Sequence, residues 1–154
     1  METKTTERTE ILESIEVLAR LSDAFRARRE ALAASVGLTE GQWGLLEEIS
    51  TEHFMPSMFA RSRSSSAAAV SKALRQLKER GLVVAALSEA DGRQRDYELT
   101  AKARELLARL RAEREEAIAA IWAPLDPRDL AAFRAFGSRL ASRLEAYSER
   151  EQGG

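Results

Sequence analysis

The sequence predicts a mainly α-helical chain of about six helices with one two-stranded β-hairpin. Three observations lead there. Apolar residues recur at steps of three and four through most of the chain, the spacing that lays them along one stripe of a helix. Only the stretch from Leu82 to Leu99 leaves that period, with short apolar or alternating runs on either side of an Asp91-Gly92 turn signal. Helix start and stop residues fall between the stripes: Gly37, Thr39, Pro56, Gly81 and Pro127.

Bulk composition narrows the class. The 154 residues are 44% hydrophobic and 32% charged, which suits one globular unit with a real core. No apolar run approaches the roughly 20 residues of a membrane span, and the polar first ten residues lack a secretory apolar region. Cysteine is absent, which excludes disulfides, thiol redox sensing and thiolate metal sites and is compatible with a reducing cytoplasm, the expected location. With His53 as the single histidine, neither a metal nor another cofactor is expected.

The formal net charge is −1, but the charge is unevenly spread. Between Phe54 and Arg104 there are ten basic side chains against five acidic ones, so the acid excess lies in the flanks. A basic middle between acidic flanks is the pattern expected when one face meets phosphate.

The first helix is predicted from about Glu7 to Ser35, where Ile11, Ile15, Leu18, Phe25 and Leu32 form a stripe that Gly37 ends. Thr39 caps the second, with Gln42 reaching back and Leu38 and Trp43 closing a hydrophobic staple. Trp43, Leu46 and Ile49 carry its stripe on. A short third helix opens at Pro56, whose missing N–H is harmless in a first turn. The serine run from Ser62 favours a turn. The fourth helix spans about Ser65 to Arg80, with Val70, Leu74 and Leu77 inward and Gly81 as its stop. After the hairpin, Thr100 caps a fifth helix running to Trp122. Pro124 and Pro127 interrupt it, and Asp126-Pro127 starts a sixth. Residues from about Glu149 are expected to fray.

A helix, a turn, a helix and a charged hairpin, in that order, make a winged helix-turn-helix. A B-DNA major groove admits one helix, and short or forked side chains on its exposed N-terminal half reach base edges. Ser65, Ser66, Ala67, Ser71 and Lys72 meet that description, and Ser66, Ala67, Ser71 and Lys72 are the candidates for base edges. Arg63, Arg75 and Arg95 are candidates for phosphates. Arg93, at the hairpin tip, is the candidate for the minor groove.

Three blocks of the sequence resemble the MarR family. Leu38-Thr39-x-x-Gln42-Trp43-x-x-Leu46 is similar to the opening of that family's second helix. Val70-Ser71-Lys72-x-Leu74-x-x-Leu77-x-x-x-Gly81-Leu82-Val83 resembles its recognition helix and the strand after it, and Asp91-x-Arg93-x-x-x-Tyr97-x-Leu99-Thr100 resembles its wing. The resemblance implies a sequence-specific DNA-binding regulator, a homodimeric repressor on a palindromic operator released by a small-molecule effector. It implies dimerisation helices at residues 1–36 and 101–150 and a winged helix-turn-helix at 38–100, and the chain end at 151–154 is expected to be a frayed tail. Two departures stand out: Met55-Pro56-Ser57-Met58-Phe59 is richer in Met and aromatics than usual, and Gly92 replaces a charged wing residue.

Other readings remain open on the residues alone. Trp43, Met55, Met58 and Phe59 either line an effector pocket or fill the core. Arg93 and Arg95 alone would suit a solvated turn. The rival function is a winged-helix module that binds protein or ligand without DNA; a small helical enzyme has less support, since no catalytic motif is present.

Overall fold

The computed structural model describes residues 2–51, 54–63, 65–87 and 95–153. In order, the elements are α1 (Glu2–Ser35), α2 (Glu40–Ile49), α3 (Pro56–Ser62), α4 (Ala67–Glu79), β1 (Val83–Leu87), β2 (Arg95–Leu99), α5 (Ala101–Ala117) and α6 (Pro127–Gln152). This is the predicted mainly α chain with a two-stranded antiparallel hairpin. The Asp91-Gly92 turn, Arg93 and His53 lie outside the described residues. No helix among the described residues is long and apolar enough to cross a membrane.

Local chemistry sets the boundaries. Gly37 and Gly81 both have left-handed backbones, φ 73° and 68°. Each ends its helix in the same way: Leu38 N–H donates to Ala33 O and Leu82 N–H to Leu77 O, both at 2.9 Å, with shorter loops from Gly37 and Gly81 inside them. A residue with a Cβ resists that conformation, which is why glycine stands at both places. Thr39 and Gln42 complete the predicted capping box, at 3.1 Å and 3.0 Å. Asp126 starts α6 by accepting from Arg128 N–H at 2.8 Å, with Pro127 in the first turn.

Two boundaries differ from expectation. α1 begins at Glu2 rather than near Glu7. α6 continues to Gln152 with Gly153 as its cap, past the point where fraying is expected.

The chain divides into two compact units, Met1–Glu113 and Arg114–Gly154. The first holds the core. Leu32 and Ala33 from the end of α1, Trp43 and Leu46 from α2, Val70, Leu74 and Leu77 from α4, and Ala103, Leu107 and Leu110 from α5 are all buried together. The hairpin closes this core through one registered pair, Val83 opposite Leu99, both buried. Period-two alternation then exposes Val84 and Glu98.

Most of α1 stays outside. Its 34 residues span about 51 Å, and the stripe of Ile11, Ile15, Leu18 and Phe25 is exposed. The second unit is alike in this. α5 passes at Ile118–Trp122 into a wider π turn, with Ala123 N–H bonded back to Ile118 O ahead of Pro124, which has no N–H to give. No residue of α6 is buried, and Phe133, Leu144 and Tyr147 are exposed.

Candidate nucleic-acid interface

α4 rests on a single apolar stripe. Val70, Leu74 and Leu77, at i, i+4 and i+7, are buried, and α3 packs beside it. Helix geometry then turns Ser71, Lys72 and Arg75 outward, and all three are exposed. Ser66 is the N-cap: its Oγ accepts from Ala69 N–H at 3.1 Å, leaving its own hydroxyl hydrogen free to donate. Ser65, Ala67, Ala68 and Ala69 are exposed beside it, so the first turn is small, open and at the positive end of the helix dipole.

Among the described residues, neither Lys72 nor Arg75 has an ion-pair partner. No described residue therefore neutralises their charges, and among the described residues the face can accept an anion without first breaking a contact. Of the predicted DNA residues, Ser65, Ser66, Ala67, Ser71, Lys72 and Arg75 are brought onto this one surface.

Arg63 is placed differently. It caps α3, and its guanidinium carbon lies 5.6 Å from the Phe59 ring centroid. A Cβ on Gly44 would stand 3.4 Å from its Nη2, so the guanidinium also lies against the α2 backbone. The expected phosphate contact would have to share this cation with an aromatic face. Arg95 opens β2 opposite Leu87, and its backbone alone is described. The expectation for Arg93 falls outside the described residues.

The four candidate pocket residues separate. Trp43 is 2% exposed and Phe59 is buried, so both belong to the core. Met55 and Met58 are exposed on the surface. Trp43 lies under the Arg29 guanidinium, 4.6 Å from its ring centroid, and its Nε1–H is buried with no partner among the described residues.

None of the four lines a cavity that the described residues of the first unit form. That cavity, about 650 Å³, is bounded by the end of α2 and the following loop (Ile49, Ser50, Thr51, Phe54), by Asp96 to Leu99 of β2, and by Arg104, Leu107 and Arg111 of α5. Phe54 meets Tyr97 edge-on at 5.9 Å and Phe59 at 6.1 Å, so Phe59 stands behind the wall. Sequence reasoning missed this set. One signal was present: Arg104, Leu107 and Arg111 recur at steps of three and four on one face of α5.

Known proteins fit this geometry. Residues 36–94 match the model of the MarR family. No curated protein sequence matches the chain. Among solved structures, a MarR family transcription regulator is 18% identical, with TM-score 0.82 and 94% of this chain and 97% of that one covered. Staphylococcus aureus MarR in complex with salicylate and kanamycin is 18% identical, with TM-score 0.73 and coverages of 88% and 92%. The S. aureus MepR–DNA complex is 15% identical, with TM-score 0.68 and coverages of 83% and 96%. Residues 36–94 are thus similar to the MarR family, and the described residues share the fold of a solved MarR family transcription regulator.

Proposed function

We propose that the chain is a sequence-specific DNA-binding transcriptional regulator. It acts as a homodimeric repressor on a palindromic operator and is released by a small molecule. The observation that carries the reading is the face of α4: small side chains at its first turn, then Lys72 and Arg75, exposed and without ion-pair partners among the described residues. Such a face suits a major groove, where short side chains let the helix approach and cations meet phosphates.

Two copies answer the uncovered apolar stripes. Ile11, Ile15 and Leu18 on α1 and Phe133, Leu144 and Tyr147 on α6 are about half exposed in the single chain. Apolar residues left exposed along a helix stripe in this way are the mark of an interface. A two-fold dimer then presents two α4 helices about 34 Å apart, one turn of DNA.

The effector enters the cavity beside α5. Arg104 and Arg111 supply cations at its exposed rim, and Phe54 and Tyr97 supply aromatic walls. The MarR structure named with salicylate makes that compound the first probe to try. A ligand releases DNA only to the extent that it binds the DNA-free form more tightly.

A gel shift on the DNA upstream of the protein's own gene, repeated across salt concentrations, tests the reading. Binding should be specific, and log K should fall linearly with log salt. If upstream DNA and unrelated DNA bind equally weakly, the reading is wrong.

A further inference from the structure

The far end of α4 from Ser66 carries polar contacts that the DNA-reading face does not use. Arg80 is the C-cap of α4. Its side chain runs to the junction of α1 and α2, where Nη1 donates to Gln42 Oε1 at 3.4 Å. Nη2 lies 3.3 Å from where a Cβ on Gly37 would stand. Gly37 is glycine for its positive φ, and a Cβ there would also press lightly on the guanidinium beside it. Gln42 Oε1 also accepts from Thr39 N–H, so the capping side chain of α2 doubles as the seat for Arg80.

The same helix end is held from its other side. Lys102 Nζ donates to Arg80 O at 3.4 Å, and Thr100 Oγ1 donates to Gly81 O at 2.8 Å. Arg80 O is among the carbonyls a helix leaves unpaired at its C-terminus, and Gly81 O lies just past it. Beyond α2, Arg29 of α1 pairs with Glu40 and covers Trp43. Polar contacts thus run from α1 through α2 and α4 to α5.

A helix resting on one straight stripe is located by it but can still roll about it. Val70, Leu74 and Leu77 are such a stripe. A tether off that line stops the roll.

We propose that Arg80 is a positioning residue: seated on Gln42 and over Gly37, it fixes the C-terminal end of α4 and so the angle at which Ser66 to Arg75 meet DNA. It touches no DNA itself, and the proposal rests on the DNA-binding reading above.

The test compares the full-length parent with Arg80→Ala and Arg80→Lys, by amide hydrogen exchange and by binding to operator and unrelated DNA across salt. In Arg80→Ala the Gly81 and Leu82 amides should exchange faster while those of α2 are unchanged. The preference for operator over unrelated DNA should fall about threefold to tenfold, the range of one hydrogen bond's net contribution. The salt slope should stay as in the parent. Arg80→Lys, which keeps a donor, should recover most of the preference.

Unchanged exchange in Arg80→Ala would mean that no tether exists. A salt slope shallower by about 0.9 would make Arg80 a phosphate contact instead. An Arg80→Ala protein that exchanges faster yet discriminates as well as the parent would overturn the positioning role alone. A parent that prefers no DNA would overturn the DNA-binding reading and this role together.

Discussion

Lys72 and Arg75 stand one turn apart on the exposed side of α4, yet they are expected to act differently. Lys72 lies nearer the first turn, which the proposed docking brings to the base edges. Lys72→Ala should cost about 1–3 kcal/mol against the preferred operator and relax discrimination at one base pair, read by binding to a panel of single-base operator variants. Arg75 lies further along, where the proposed docking puts the backbone of DNA. Arg75→Ala should weaken all sequences similarly and make the salt slope shallower by about 0.9, read by titration of operator and unrelated DNA. Core residues behave in another way. Leu77 is wholly buried, so Leu77→Ala should cost about 2–5 kcal/mol of stability in urea unfolding through lost transfer energy and an unfilled cavity. Single residues were legible from the sequence where their partner is three or four positions away. Thr39 with Gln42 is of that kind. Arg80 is not, since its partner Gln42 is 38 positions distant and nothing in either neighbourhood announces the other.

At the scale of elements, caps and turns decide where each helix begins. The Asp126 carboxyl is held below its ordinary value of 3.8, first by the Arg128 side chain and then by the Arg128 backbone N–H. A depressed carboxylate pKa gives a contribution that is present above the unfolded value and lost as pH falls through the folded one. The start of α6 should therefore be intact at neutral pH and loosen only under strong acid, near or below pH 3.8. Exchange of the Arg128 amide, corrected for intrinsic rates, checks this. Asp126→Asn, which keeps an acceptor without the charge, should remove most of the pH dependence. The hairpin was legible through its alternation, because Val83 and Leu99 must face the core together while Val84 and Glu98 face water. The cavity beside it was not. Its walls come from α2, the loop after it, β2 and α5, and no single element shows a pocket by itself.

For the whole molecule, the open stripes on α1 and α6 are the surfaces that the proposed dimer would cover. The parent is expected to sediment as a dimer and Ile15→Asp together with Phe133→Asp as a monomer at the same concentration, because charge on an apolar contact is costly to bury. The same variant should lose operator binding, having lost the second recognition helix. The thermal midpoint of the parent should rise with protein concentration, as dimerisation stabilises the folded state by mass action. A midpoint independent of concentration in a monomeric parent would remove the dimer from the proposal.

The amino-acid order by itself determined the kinds of elements, most of their ends and the identity of the helix that faces outward. Those properties depend on backbone geometry and on contacts a few residues long, which a linear chain displays directly. Tertiary structure alone decided that Trp43 and Phe59 are core, that Arg63 turns back onto Phe59 and Gly44, and that Arg80 sits on Gln42. The hydrophobic effect has no direction, so a stripe of apolar residues states that something will cover it without stating what. The answer comes only when distant segments compete for the same space.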